Sequence, residues 1–328
     1  MTVDLMKQLR DARGWSQQDL ADWLNTSLAR KYDRHRISRW ETAGERVPQD
    51  VEDLVRQELG HSHPPRPDRP ARIIGFANFK GGVGKTTTAV NVAAHLAEIG
   101  QRVLLVDCDP QYNATKILFA IEAQDEIFRR GATLLNAIEE DRPLADVITP
   151  AWGIDVIPSH IKLMRLEARN EAGAEYIFRE KLEPLLRRYD WIILDAPPNP
   201  GKLTAMVLTA AHGLVIPVRT EPLDHSGIEL ILDEIRQVQR RLNPALKLLG
   251  VLPNHFDARK TVDQLLLDTI RARDPRDFTV YEPIPYDSCF GKASMLNEPV
   301  VRTSRRSNGA KALMALSRRL LQEVGDGR

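Results

Sequence analysis

The chain has 328 residues, which at about 150 residues per domain predicts two domains, one large and one small. Hydrophobic residues make up 42%, enough for a sizeable core, so wholesale disorder is excluded. Although 28% of residues are charged, 46 Lys and Arg against 45 Asp and Glu leave a net +1, which excludes a uniformly basic scaffold and confines any nucleic-acid surface to a local patch.

The first residues, MTVDLMKQLRDARGW, carry charges through what would be the apolar stretch of a signal peptide. No apolar run approaches the ~18 residues of a membrane span. Two cysteines can build neither a disulfide framework nor a four-thiolate zinc site, so a soluble protein of a reducing cytosol is expected. Leu5, Leu9 and Ala12 recur at helical spacing, and Gly14 then interrupts. Ser16 and Asp19 form a reciprocal cap for a second helix carrying Leu20, Ala21 and Leu24. Ile37 and Trp40 predict another helix, and Val51, Leu54 and Val55 a last one. RGWSQQDLADWLN followed by RHRISRWETAGERVP resembles a Cro/repressor-type helix-turn-helix. The resemblance implies a recognition helix through Arg34, His35, Arg36, Ser38 and Arg39, with Ile37 and Trp40 on its buried face. Five Lys and Arg against one acid between Arg30 and Arg39 give a local +4, which suits phosphate contact. A solvated helix in a protein–protein module is the alternative. The connection from Asn25 to Arg36 is longer than the usual turn, so a longer recognition helix or an added loop is expected.

Residues 1–59 therefore read as a small helical module. Residues 60–71, GHSHPPRPDRPA, read as a proline-rich tether, either extended or lying ordered on the larger domain. From 72 to 328 the texture changes to α/β. RIIGFAN, RVLLVDCD, IDVIP, WIILDAP, LVIPV, LKLLGVLPN and VYEPIP alternate with helical stretches. Apolar runs without alternation predict strands covered on both faces, hence a mostly parallel sheet with its chemistry at the carboxyl ends of the strands.

The first of these strands leads into Phe79-Lys-Gly-Gly-Val-Gly-Lys-Thr-Thr87 and a helical stretch. Strand, glycine loop and helix together supply backbone N–H groups and a positive helix end for a triphosphate. The loop residues Gly81, Gly82, Val83, Gly84, Lys85, Thr86 and Thr87 are the candidate phosphate contacts. Lys85 is placed to neutralise the β- and γ-phosphates, and the Thr86 hydroxyl to ligate Mg²⁺. Phe79 stands where the ordinary P-loop has glycine, so the stretch fits the deviant form KGGxGK[ST], with Lys80 as its additional lysine. Two strands end in acids, Asp107 and Asp109 on one and Asp195 on the other, placed to hold Mg²⁺ through water. Strand alternation turns Cys108 away from its flanking aspartates, which reads as packing.

KGGVGKTTT, VLLVDCDPQ and DAPP, in that order and spacing, resemble the ParA family of chromosome and plasmid partition ATPases, within a wider group that includes the MinD-like positioning ATPases. LVIPVRTEP, GVLPNHFDAR and FGKASMLNEPVV are weaker echoes. The resemblance implies a slow, regulated ATPase using ATP and Mg²⁺. It implies that Lys80 reaches across an ATP-sandwiched homodimer and that Asp109 positions the attacking water. By the same resemblance, Asp107 lies near the metal, Asp195 is the Walker B acid, and Asn254 and Pro285 flank the adenine. Tyr112 and Asn199 depart from the family's usual Gly and Ser, near possible switch segments.

Between Pro299 and Gln322 stand six cations and no acid: Arg302, Arg305, Arg306, Lys311, Arg318 and Arg319. They read either as a solvated helical face or, by the resemblance, as a surface for nonspecific DNA on the nucleoid. The last helix belongs to the shared domain and leaves no amphipathic extension for lipid, so no membrane is expected. Some partition ATPases carry an amino-terminal helix-turn-helix and repress their own operon, so operator DNA is an implied partner. A centromere-binding ParB-like protein is another. Two rival readings are an ATP-sensing transcriptional repressor and a MinD-like positioning ATPase for a protein cargo. Cofactor-biosynthesis enzymes share the deviant loop, but nothing in the sequence resembles their small-molecule pocket.

Overall fold

The computed structural model describes residues 2–28, 30–42, 45, 47–48, 51, 54–55, 69–168, 173–220, 225–272 and 278–325. The chain divides into two compact units, Met1–Pro64 and Pro65–Arg328. Most of the expected tether, residues 60–68, lies outside the described residues.

In the first unit, helices span Thr2–Arg13, Gln17–Leu28 and Arg34–Glu41. Ser16 and Asp19 cap the second helix reciprocally: Ser16 N donates to Asp19 Oδ2 at 2.8 Å and Asp19 N to Ser16 Oγ at 3.2 Å. Met6, Leu9, Leu20, Ala21, Leu24, Ile37 and Trp40 form the core, joined by Val47, Val51 and Val55. Beneath it the Glu41 carboxylate accepts from Arg10 Nε and Gln17 Nε2, both at 2.7 Å. Of the long connection, residues 25–28 continue the second helix and residues 30–33 are irregular, where Asn25 clasps the backbone of Tyr32 through both amide atoms. Asp33 then caps the third helix by accepting from Arg36 N at 2.8 Å.

The second unit is built on an eight-stranded sheet: β1 (Arg72–Phe76), β2 (Val103–Asp107), β3 (Thr149–Ala151), β4 (Ile154–Ile157), β5 (Trp191–Asp195), β6 (Gly213–Arg219), β7 (Lys247–Asn254) and β8 (Thr279–Val280). Its order is β3-β4-β2-β5-β1-β6-β7-β8, parallel throughout except for the β3–β4 pair. Successive strand residues feed opposite cores, as the pleat requires. Leu104 and Val106 belong to the core that also takes in residues of the helices Ala174–Leu182, Lys202–Ala210 and His225–Arg241, while Val103 and Leu105 belong to the opposite one, with the helices Lys85–Glu98 and Asn308–Leu320. Both faces are covered, which explains the unalternated apolar runs.

Two details were not legible in the sequence. The edge strand β3 is the three residues Thr-Pro-Ala, a composition with little strand signal whose proline sits where an edge tolerates it. The expected strand VYEPIP is ordered as β8 only at its start, and then continues through an isolated parallel bridge between Phe256 and Pro285.

Candidate functional site: the phosphate loop and its carboxylates

The loop hangs between β1 and the helix Lys85–Glu98, and the ends of β6 and β7 brace it. Asn78, 2% exposed, donates through Nδ2 to Pro217 O at 2.7 Å and accepts Lys80 N on Oδ1 at 3.0 Å, fixing where the loop begins. Asn254, facing Arg219 in the β6–β7 register, donates to Val83 O at 2.9 Å and holds the loop from below. Gly82 and Gly84 take left-handed φ values of 72° and 89°. At Gly84 a side chain is excluded by space as well, since a Cβ there would stand 2.8 Å from Asn254 Nδ2. Helix Lys85–Glu98 starts directly after Gly84 with no side-chain cap, so its first N–H groups face the loop. Lys85, 6% exposed, folds back so that Nζ donates to Lys80 O at 2.9 Å. Burial lowers its pKa, while Asp195 and Asp109 oppose the drop.

The three predicted aspartates converge here and are all buried. Asp107 and Asp195 are register partners on β2 and β5. Asp107 is tied into the protein: Oδ2 accepts Thr115 N at 2.9 Å and Thr115 Oγ1 at 2.8 Å, and Oδ1 accepts Asp109 N at 3.2 Å. Burial outweighs these donors and pushes its carboxyl up to about 7. Asp109 accepts Gln111 N at 2.8 Å and is raised by burial, with Lys85 and Lys116 pulling it back. Asp195 is raised well above the carboxylate range by burial and then by Asp107. Nearby Thr86 and Lys85 oppose that rise, but the Thr86 hydroxyl falls outside the geometry of a full hydrogen bond, and neither Asp195 oxygen has a partner.

A buried carboxylate with two unpartnered oxygens beside a threonine at a helix N-terminus fits a hydrated divalent cation. Among the described residues no group of three or more His, Cys, Asp or Glu could hold a metal. The donor set therefore suits a cation whose remaining ligands are phosphate and water. Cys108 packs in the core with Leu104 and Val106, its thiol pushed far up by burial. Pro285 is brought to the exit of β7 by its bridge with Phe256, two residues beyond Asn254. Tyr112, which caps the helix Asn113–Leu118, adopts a left-handed φ of 46°. Its ring is held by Phe128 edge-on at 5.7 Å, by His160 at 6.3 Å and by Lys116 Nζ 3.9 Å above it.

The basic candidates divide. On the third helix Arg34 and His35 are exposed, whereas Arg36 and Arg39 both pair with Glu45, at 2.6 and 3.3 Å. Near the carboxyl end, Arg302 and Arg305 converge on Glu98 at 3.6 and 2.6 Å, and Arg319 pairs with Glu323 at 2.7 Å. Among the described residues Arg306, Lys311 and Arg318 make no ion pair and are exposed. Glu45, Glu98 and Asn78, which shape these sites, were not singled out from the sequence. No spacing rule marks them, because their partners lie far away in the chain or across a loop.

A family model described as an AAA domain, AAA_31, matches residues 71–248, which include the loop and all three aspartates. The sporulation initiation inhibitor protein Soj of Bacillus subtilis is 36% identical over 251 residues, covering 75% of this chain and 97% of that protein. The chromosome partitioning protein ParA of Myxococcus xanthus is 35% identical over 256 residues, covering 76% and 88%. Among solved structures, the cobyrinic acid a,c-diamide synthase of Mycobacterium smegmatis with bound ADP and magnesium aligns with a TM-score of 0.68 at 34% identity, over 79% of this chain and 97% of that one.

Proposed function

This chain belongs to the ParA family of partition ATPases, and from that premise we propose that its ATP-bound form is a homodimer that binds DNA nonspecifically and lets go when a partner stimulates hydrolysis. ATP and Mg²⁺ are its cofactors, and its reaction is hydrolysis of ATP to ADP and phosphate. The observation that carries the reading is the buried trio of aspartates beside the phosphate loop, two of which, Asp195 and Asp109, act on Lys85 at the uncapped start of a helix.

In the reaction, backbone N–H groups from Gly81 to Thr87 cradle the phosphates. Lys85 exchanges its bond to Lys80 O for phosphate oxygens. Thr86 and Asp195 would hold the cation. Mg²⁺, when bound, offsets charge on the β- and γ-phosphates. Asp109 orients the attacking water, and Asp107, bonded to Thr115 and to Asp109 N, fixes the loop that presents it. Lys80 reaches the partner's nucleotide, which makes ATP binding and dimerisation one event. Asn254 and Pro285 line the adenine end.

Residues 72–328 are the ATPase, 60–71 the tether, and 1–59 a helix-turn-helix module for operator DNA. Exposed Arg306, Lys311 and Arg318 contact nonspecific DNA, and a centromere-binding ParB-like protein is the stimulating partner. The working place is the cytoplasm, on the nucleoid. No helix among the described residues is long and apolar enough to cross a membrane. The basic third helix of the first unit favours this reading over amide synthesis.

The test is binding to a scrambled DNA duplex with Mg²⁺-ATP and with Mg²⁺-ADP across a salt series. ATP-only binding that weakens steeply with salt supports the reading. Binding indifferent to nucleotide, or confined to one sequence, points instead to a regulator working through residues 1–59.

A further inference from the structure

We propose that the segment leaving β4, Ser159 to Ala168, is a strut that fixes the loop of Asp109 relative to the helix following Asp195, with Ser159 and Glu167 as its two joints. It rests on the ATPase reading of the site and assigns positioning roles to two residues outside it.

At one end Ser159 is fully buried. Its Oγ donates to Asp109 O at 2.7 Å, and its N donates at 3.0 Å to Thr115 Oγ1, the hydroxyl that donates on to Asp107 Oδ2. One residue therefore grips the backbone of the proposed water-positioning acid and, through Thr115, its neighbour. The chain then turns into the short 3-10 helix Ile161–Ala168, whose Leu163 and Leu166 are buried in the same core as Leu203 and Val207 of helix Lys202–Ala210.

At the other end the Glu167 carboxylate accepts Lys202 N on Oε2 at 2.7 Å and Leu203 N on Oε1 at 3.3 Å. It thereby caps the helix that follows Asp195 and complements its dipole. The fit is close: a Cβ on Gly201 would stand 2.7 Å from Glu167 Oε2. Thr204 Oγ1 donates to Asn199 O at 2.7 Å and closes the intervening turn. The two loops that carry Tyr112 and Asn199 are thus joined through protein, without passing through the nucleotide.

The test uses full-length wild type, Glu167→Ala, Glu167→Gln, Ser159→Ala and the Ser159→Ala/Glu167→Ala double variant. Each is measured for kcat and KM of ATP hydrolysis, ADP affinity with Mg²⁺, and melting temperature. Expected for Glu167→Ala is a kcat lower by roughly ten-fold or more, because small displacements of reacting groups are expensive. Its ADP affinity stays within about two-fold, since Glu167 bonds to the backbone of Lys202 and Leu203 and not to the nucleotide. Glu167→Gln recovers most of kcat, its amide oxygen still accepting from Lys202 N. If both joints serve one strut, the double variant is about as slow as the slower single, whereas independent contacts multiply. Wild-type kcat in a folded Glu167→Ala overturns the proposal, as does parallel loss of kcat and ADP affinity, or multiplying effects in the double variant. Should Glu167→Ala not fold, Ser159→Ala carries the same readings. Absence of hydrolysis by the wild type is a separate result, and that one sinks the ATPase reading itself.

Discussion

Replacing Gly84 by alanine strikes the loop twice. Its φ of 89° lies in the left-handed region, which costs an L side chain about 1–2 kcal/mol. The new Cβ would also meet Asn254 Nδ2 at 2.8 Å, and that amide nitrogen is the donor to Val83 O. Displacing it leaves a buried carbonyl and amide unpaired, about 1–3 kcal/mol more. The sum, about 2–5 kcal/mol, corresponds to a fall in melting temperature of roughly 5–15 °C for a unit of this size. Gly81→Ala is the matched control, because a Cβ there meets nothing within 4 Å. Its stability should stay within about 0.5 kcal/mol of wild type. Combining Gly84→Ala with Asn254→Ala removes the collision but keeps the strain, so the double variant should lose less than the two singles added together. Thermal unfolding of the wild type and the four variants decides it. A Gly84→Ala protein that melts with wild type, or a Gly81→Ala protein that falls as far, refutes the argument from Asn254 and φ.

Further outcomes follow from individual contacts. Lys80→Ala should keep ATP binding and lose the ATP-dependent dimer, read by light scattering; a dimer that persists removes Lys80 from the partner's site. Glu45→Ala should strengthen binding of duplex DNA severalfold at low salt by releasing Arg36 and Arg39, and should steepen the salt dependence by up to about two ions; unchanged binding argues that this helix does not meet phosphate. At Tyr112, alanine keeps the left-handed strain and loses the ring contacts, whereas glycine loses the ring but relieves the strain. Tyr112→Ala should therefore be the less stable by about 1 kcal/mol, and the reverse order refutes the strain. For pH, the Asp107 carboxyl is raised by burial from 3.8 to about 7, so the folded state holds a proton that the unfolded state has released. That contribution is fully present below the unfolded value and is lost as pH rises through 7. His95 acts in the opposite sense, lowered by burial from 6.5 to about 4, but its effect is complete above its unfolded value. Without nucleotide and metal, melting temperature should thus fall between pH 6.5 and 8, and Asp107→Asn should lessen the slope, with Asp195, also raised by burial, sustaining the rest. An equal slope in the variant removes Asp107 as its source.

Much of the site was legible in the sequence because its chemistry is local in the chain. Lys80 to Thr87 are contiguous, and each aspartate ends an apolar run, so register alone brings Asp107 beside Asp195 once β2 pairs with β5. The reciprocal cap at Ser16 and Asp19 was legible for the same reason, its partners being three residues apart. What escaped depends on distant partners. Glu98 ends the phosphate-loop helix, and no count of charges between 299 and 322 shows that it neutralises Arg302 and Arg305. Among the described residues a run of six cations is therefore three exposed cations without an ion pair beside two small ion-pair clusters. The same holds for Asn254: its position at the end of β7 could be read, but its amide under Val83 could not, since 171 residues separate them. Sequence reasoning thus locates the contiguous phosphate loop and the acids at the strand ends. The groups that hold the surrounding loops in place (Asn78, Thr115, Ser159, Glu167) are supplied by the fold, through hydrogen bonds between segments distant in the chain.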